Sequence, residues 1–206
     1  EIRGAGNLLG AQQHGHMEAV GYDLYCKMLN EAVKHLKGEL EEEPYTTTVD
    51  LNVDAYIPNS YIPNEYQKLD IYKRIACIEN EEEKEDMLEE LIDRFGDVPK
   101  KVQQLLNIAL LKALAHSAYV TAVEQKGSVL KFTMFEHAKV KVEQIPVLLE
   151  QYKGALQFKI DVNPYFIYEK KARNGKEKED DVINIVKNVL NDIKALNENE
   201  KKAIIQ

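Results

Sequence analysis

The sequence predicts an α+β fold in which a small mixed or antiparallel sheet packs with several helices, and three observations carry it. Residues 45–56 alternate apolar and polar side chains, as a half-buried strand does. Three successive segments between Glu65 and His116 repeat apolar residues at helical spacing. After Tyr119, short strand-like runs bounded by turn residues are interspersed with two more helical stretches. A glycine-rich segment and an amphipathic connecting helix precede this domain.

The connecting helix covers 22–36, where Tyr22, Tyr25, Met28, Leu29, Ala32, Val33 and Leu36 recur at helical spacing. Gly38 ends it, and residues 37–44, charged and closed by Pro44, form a linker. The domain spans 45–206. In its first strand Thr47, Val49, Leu51, Val53 and Ala55 point one way, and Thr46, Thr48, Asp50, Asn52 and Asp54 the other. A connector with Pro58 and Pro63 leads to a helix from Glu65 whose apolar face is Tyr66, Leu69, Tyr72, Ile75 and Ala76. A second helix carries Met87, Leu88, Leu91, Ile92 and Phe95 and stops at Gly96. Asp97 and Pro99 open a third, 100–116, with a stripe of Val102, Leu105, Leu106, Ala109 and Ala113 broad enough for deep burial. Strands at 119–124 and 128–135 form a hairpin around Gln125-Lys126-Gly127, and 144–152 is a short helix with Pro146 in its first turn. Residues 155–161 and 165–168 form a second hairpin around Asn163-Pro164. After a turn at Asn174-Gly175, a helix over 181–196 buries Val182, Ile185, Val186, Val189, Leu190 and Ile193.

The composition is that of a soluble globular protein of one domain plus an appendage, with no apolar run near the ~20 residues that span a bilayer. The chain begins at Glu1 rather than at a methionine, so it reads as a piece of a longer polypeptide. Cys26 and Cys77, far apart in apolar helical contexts, read as free thiols of a reducing cytoplasm. The net charge is -8, and residues 79–97 alone hold ten acidic side chains against Lys84 and Arg94. Such a surface repels the phosphates that nucleic-acid binders neutralise, and suits either a basic protein partner or plain solvent.

The first fifteen residues hold Gly4, Gly6, Gly10 and Gly15, too many glycines for a stable helix. Gly4-Ala5-Gly6 lacks the strand and third glycine of a dinucleotide fingerprint, and no G-K-[ST] follows to cradle phosphate. The strings Ile2-Arg3-Gly4-Ala5-Gly6, Leu8-Leu9-Gly10 and Gln13-His14-Gly15 resemble the translocation motif that follows the motor core in the transcription-repair coupling factors (the Mfd family) and in RecG, both double-stranded DNA translocases. The resemblance implies a hook that returns to the motor, with Arg3 and Gln13 at the two polar positions that couple nucleotide state to movement. Two further strings, Asp70-Ile71-Tyr72-Lys73-Arg74-Ile75-Ala76 and Glu90-Leu91-Ile92-Asp93-Arg94-Phe95-Gly96-Asp97-Val98-Pro99, resemble the C-terminal regulatory domain of the coupling factors alone.

That resemblance implies an autoinhibitory module docked within one polypeptide on a UvrB-like N-terminal module, masking UvrA recruitment and restraining the motor domains. Glu90, Asp93 and Arg94 match the contact positions. The intact family member pushes stalled RNA polymerase off damaged double-stranded DNA and recruits excision repair, in the cytoplasm. ATP and Mg are implied for its motor domains, with no cofactor in this chain. By spacing, Glu90 and Arg94 are an i,i+4 pair on the exposed side of a helix whose other side holds Leu91, Ile92 and Phe95.

No convergent catalytic set stands out. His14 and His16 lack a third metal ligand, and His35, His116 and His137 are isolated. The carboxylates of 79–97 lie on a solvated helix without an enclosing pocket. Tyr22, Tyr25, Tyr56, Tyr61, Tyr66 and Tyr72 are interleaved with acids and apolar residues, as core and interface rather than a base-stacking platform. The chain is therefore expected not to be an enzyme by itself, not to bind nucleic acid through 45–206 and not to engage a membrane. The alternatives are an independent nucleic-acid-binding accessory domain of a RecG-like helicase, a small carboxylate enzyme and a purely structural domain.

Overall fold

The computed structural model describes residues 45–169 and 179–197. The hook with Arg3, Gly4, Gly6, Gly10, Gln13 and Gly15, the connecting helix, the 37–44 linker, Cys26 and the Asn174-Gly175 turn lie outside the described residues. The chain divides into two compact units, one holding Val53–Ala113 and the other Thr47–Asn52 together with Leu114 onward. Among the described residues no helix is long and apolar enough to cross a membrane.

The first unit is helical: α1 Glu65–Ala76, α2 Glu81–Phe95 and α3 Lys100–Ser117, whose last residues belong to the second unit. Asn64 and Asn80 cap α1 and α2, their side chains accepting from the backbone N–H of Gln67 (3.0 Å) and Glu83 (2.9 Å). Glu81, Glu82 and Glu83 in the first turn of α2 and Arg94 in its last both complement the helix dipole. Part of the acidic run thus supports the helix that carries it. Gly96 ends α2 at φ +80°, a conformation in which a side chain is strained.

The core of this unit gathers Ile57, Ile62, Ile71, Ile75, Met87, Leu91, Val102, Leu105 and Leu106. On α1 the buried stripe is Lys68, Ile71, Tyr72 and Ile75, which corrects the expected face: Tyr66 is 87% exposed. The stripe follows i, i+3, i+4, i+7 spacing, but its first member is a lysine, which hydropathy assigns to solvent. Lys68 is tolerated because its ammonium donates to Asn59 Oδ1 and to Glu65 Oε1 at 2.9 Å. On α2, Met87 and Leu91 are buried and Leu88 and Phe95 partly so, whereas Ile92, expected on the apolar side, is 50% exposed. It sits about 100° around the helix from Leu91, past the edge of the stripe. Buried residues on α3 include Leu110 and Leu111 as well as Val102, Leu105, Leu106 and Ala109 of the expected stripe, whereas Ala113 is only partly buried.

The second unit holds the sheet: β1 Thr48–Asp50, β2 Val120–Lys126, β3 Val129–Met134, β4 Leu156–Lys159 and β5 Tyr165–Glu169, in the order β1-β2-β3-β5-β4. β1 runs parallel to β2 and the other neighbours are antiparallel, so the sheet is mixed and the α+β prediction holds. Pairings Val49↔Val123, Val123↔Phe132, Phe132↔Phe166 and Phe158↔Phe166 put one apolar row across all five strands, with Phe132 and Phe166 fully buried. The strand expected over 45–56 shrinks to three residues. Burial still alternates through this stretch, with Thr47 and Val49 buried and Asp50, Asn52 and Asp54 exposed. Alternation reports which side faces the core; a strand also needs ladder partners, and only Thr48, Val49 and Asp50 find them on β2. The first hairpin closes one step later than expected, through Gly127 and Ser128 with Gly127 at φ +60°. The short helix α4 Ile145–Gln151 carries Pro146 in its first turn, and α5 Glu179–Lys194 buries Val182, Val186, Val189, Leu190 and Ile193.

Candidate docking surface

Three charged side chains meet on the outer side of the α1–α2 pair. Arg74, in the last turn of α1, donates through Nη1 and Nη2 to both carboxylate oxygens of Glu90 on α2. Arg94, one turn further along α2, donates through Nη1 to Glu90 Oε1 at 2.7 Å. The expected Glu90–Arg94 pair is present, and Glu90 also has a second, two-pronged partner that spacing along one helix could not reveal. Arg74 stands in one of the strings singled out in the sequence, but sixteen residues from Glu90. Only the packing of α2 against α1 brings them together.

The electrostatics follow from this arrangement. The hydrogen bond from Arg74 holds the Glu90 carboxyl down at about 2, helped by the bond from Arg94 and by both positive charges. Arg94 also lies 5.0 Å from the centroid of the Phe95 ring, which keeps its guanidinium close to the helix surface. The turn beneath is secured by Tyr61, whose single O–H is shared between the carbonyl oxygens of Leu91 (3.1 Å) and Gly96 (3.2 Å) and whose ring lies 5.8 Å from Phe95. Burial, and then the charge of Asp97, push the Tyr61 phenol up. Neither Arg74 nor Tyr61 is among the site residues expected from sequence.

Asp93 is exposed and does not join the network; it lies with Glu85, Glu89 and Ile92 on the solvent face of α2. Glu90 is thus neutralised within the chain. What remains for a partner is the outer edge of Arg94, the carboxylates of Asp93 and Glu89, and the half-exposed Ile92. An apolar side chain ringed by opposed charges suits docking that is oriented by electrostatics and released without great cost.

The pKa gives a direct check. In a carboxyl-detected NMR titration the Glu90 midpoint is expected at about 2, well below the ordinary 4.5. A lowered folded-state pKa stabilises the fold above the unfolded value, and that share is lost as pH falls from about 4.5 to 2. Solvent screening holds it to the ~0.2–1 kcal/mol of a surface pair. A midpoint near 4.5 would mean that Arg74 does not hold Glu90 in solution.

The other tyrosines divide. Tyr72 is buried and accepts from the Ile57 N–H at 2.9 Å, while Tyr56, 41% exposed, lies under the Lys101 ammonium at 4.4 Å from the ring centroid. Tyr56 therefore does pair with a lysine, contrary to its local sequence context, because α3 carries Lys101 beside it. Among the described residues no three His, Cys, Asp or Glu side chains are grouped to hold a metal.

Comparison with known proteins bears on this surface. The family model of the TRCF domain matches residues 51–145, which include Arg74, Glu90, Asp93 and Arg94. The chain is similar to the transcription-repair-coupling factor of Bacillus subtilis (strain 168), 43% identical over 143 residues, 69% of this chain and 12% of that protein. It is similar to the factor of Staphylococcus haemolyticus (strain JCSC1435) at 48% identity over 135 residues, 65% of this chain and 12% of that protein. A crystal structure of the C-terminal domain of a transcription-repair coupling factor superposes with a TM-score of 0.60 at 28% identity, covering 76% of this chain and 97% of the other. The chain thus matches 12% of the length of these curated relatives and nearly all of the separately solved domain.

Proposed function

The chain belongs to the transcription-repair coupling factor family and contains its C-terminal domain, and from that premise we propose that it is the regulatory module of a longer ATP-driven DNA translocase. The Arg74–Glu90–Arg94 surface docks on the UvrB-like N-terminal module of the same polypeptide. In the resting protein that contact masks the UvrA-recruiting surface and restrains the motor domains. The observation that carries this reading is the Glu90 carboxylate shared by two guanidinium groups across two helices. Such a group holds Arg94 in one place before any partner arrives, which lowers the ordering entropy of binding.

Within the same reading, Arg3 and Gln13 belong to the hook that couples nucleotide state to translocation, and ATP with Mg is held by motor domains outside this chain. RNA polymerase, UvrA and double-stranded DNA are partners of the whole protein. It acts in the cytoplasm, and residues 45–206 neither catalyse a reaction nor contact nucleic acid.

The test is binding of this chain to the purified N-terminal module at low and high salt, wild type against Glu90→Arg combined with Arg94→Glu. Swapping the two charges keeps them paired on α2 but sets an arginine facing Arg74. The expected result is salt-weakened binding that drops about tenfold or more in the variant. Binding unchanged by the swap, or no binding by either form, would overturn the docking proposal.

A further inference from the structure

The second unit contains a cavity that the docking surface does not use, of about 370 Å³ and lined by Tyr152, Tyr168, Ile185, Asn188, Asn191 and Asp192. Its volume falls within the ~300–1,000 Å³ of ligand sites. Tyr152 follows α4, Tyr168 lies on β5, and the other four residues lie on α5. The two phenol rings stand edge to face, with centroids 6.0 Å apart at 84°. The Tyr152 hydroxyl donates to Asp192 Oδ2, which leaves Oδ1 of that carboxylate open. Burial, and then the hydrogen bond and charge of Asp192, push the Tyr152 phenol far up, so it stays a proton donor at neutral pH. Asp192 has no cationic partner among the described residues.

These groups define a ligand. A carboxylate beside two aromatic rings offers a cation both a counter-charge and ring faces. A planar guanidinium meets the carboxylate with directed N–H donors and can lie flat on a phenol ring, which a compact ammonium cannot. On the rim, Asn188 and Asn191 are exposed, one turn apart, and engage no other side chain among the described residues. A carboxamide both donates and accepts, so it can pair with the N–H and C=O of an extended backbone.

We propose that this cavity binds an arginine side chain of an extended peptide segment in a partner protein, with Asp192 and the two tyrosines holding the guanidinium and Asn188 and Asn191 holding the flanking main chain. The site lies wholly within the second unit and is independent of the docking reading.

The test uses the intact 206-residue chain and three probes: acetyl-Gly-Gly-Arg-Gly-Gly-amide, the same peptide with neutral citrulline in place of arginine, and arginine amide alone. Saturable shifts are expected in amide NMR spectra at Tyr152, Tyr168, Asn188 and Asn191 with the arginine peptide. Affinity should fall about tenfold for the citrulline peptide and for Asp192→Asn, and several-fold for Asn191→Ala. The last variant changes an exposed position, so it carries the test if Asp192→Asn fails to fold. Absence of saturable shifts, or equal binding of the arginine and citrulline peptides, would overturn the proposal. Arginine amide binding as tightly as the peptide would overturn the peptide role and assign the cavity to a free guanidinium compound.

Discussion

Leu91→Ala is expected to cost about 3 kcal/mol of folding stability, while Ile92→Ala, one residue further on, costs under about 0.5 kcal/mol. Leu91 is fully buried in the core formed by Ile71, Ile75, Met87, Val102 and Leu105, so its removal loses apolar contacts and leaves a cavity. Ile92 already has half its surface in water. The functional effects should run the other way at low temperature, where both variants are folded. Ile92→Ala removes the apolar centre of the docking face and weakens binding to the N-terminal module, whereas Leu91→Ala, still folded, retains that face. Urea unfolding followed by circular dichroism, with binding measured on the same samples, separates the two. Equal stability losses would mean that α2 is rotated from the orientation described. Intact binding by Ile92→Ala would remove that residue from the interface.

Arg74→Ala is expected to weaken docking about tenfold, or ~1.4 kcal/mol, while costing no more than the ~1 kcal/mol of a surface ion pair in stability. Arg74 itself need not touch the partner. Its loss leaves Glu90 with one cation instead of two, so the Glu90 midpoint rises from about 2 towards 4.5 and Arg94 loses a fixed anchor. Arg74→Lys should restore little, because an ammonium supplies a point charge rather than a fork matched to both carboxylate oxygens. A shift of the Glu90 midpoint without any change in docking would show that the network serves the helix pair alone. Normal docking together with an unmoved midpoint would remove Arg74 from the account altogether.

Local chemistry carried much of this protein. Alternation over 45–56 foretold which side chains face inward, Gly96 foretold the end of α2, and the string around Glu90 and Arg94 foretold their pairing. Each depends on residues a few positions apart, where backbone geometry alone sets who meets whom. The α+β class followed for the same reason, since it needs only the order and type of elements. What the tertiary structure decided was every partner distant in sequence. β1 is three residues long because β2 offers three ladder partners, and Lys68 is inside because Asn59 and Glu65 receive its charge. Ile92 is outside because the core meets α2 along Met87 and Leu91. Arg74 holds Glu90 because α1 and α2 pack together, and Tyr152 reaches Asp192 across forty residues because the end of α4 meets α5. Pairings of this kind depend on how elements pack, which periodicity along a single element does not encode.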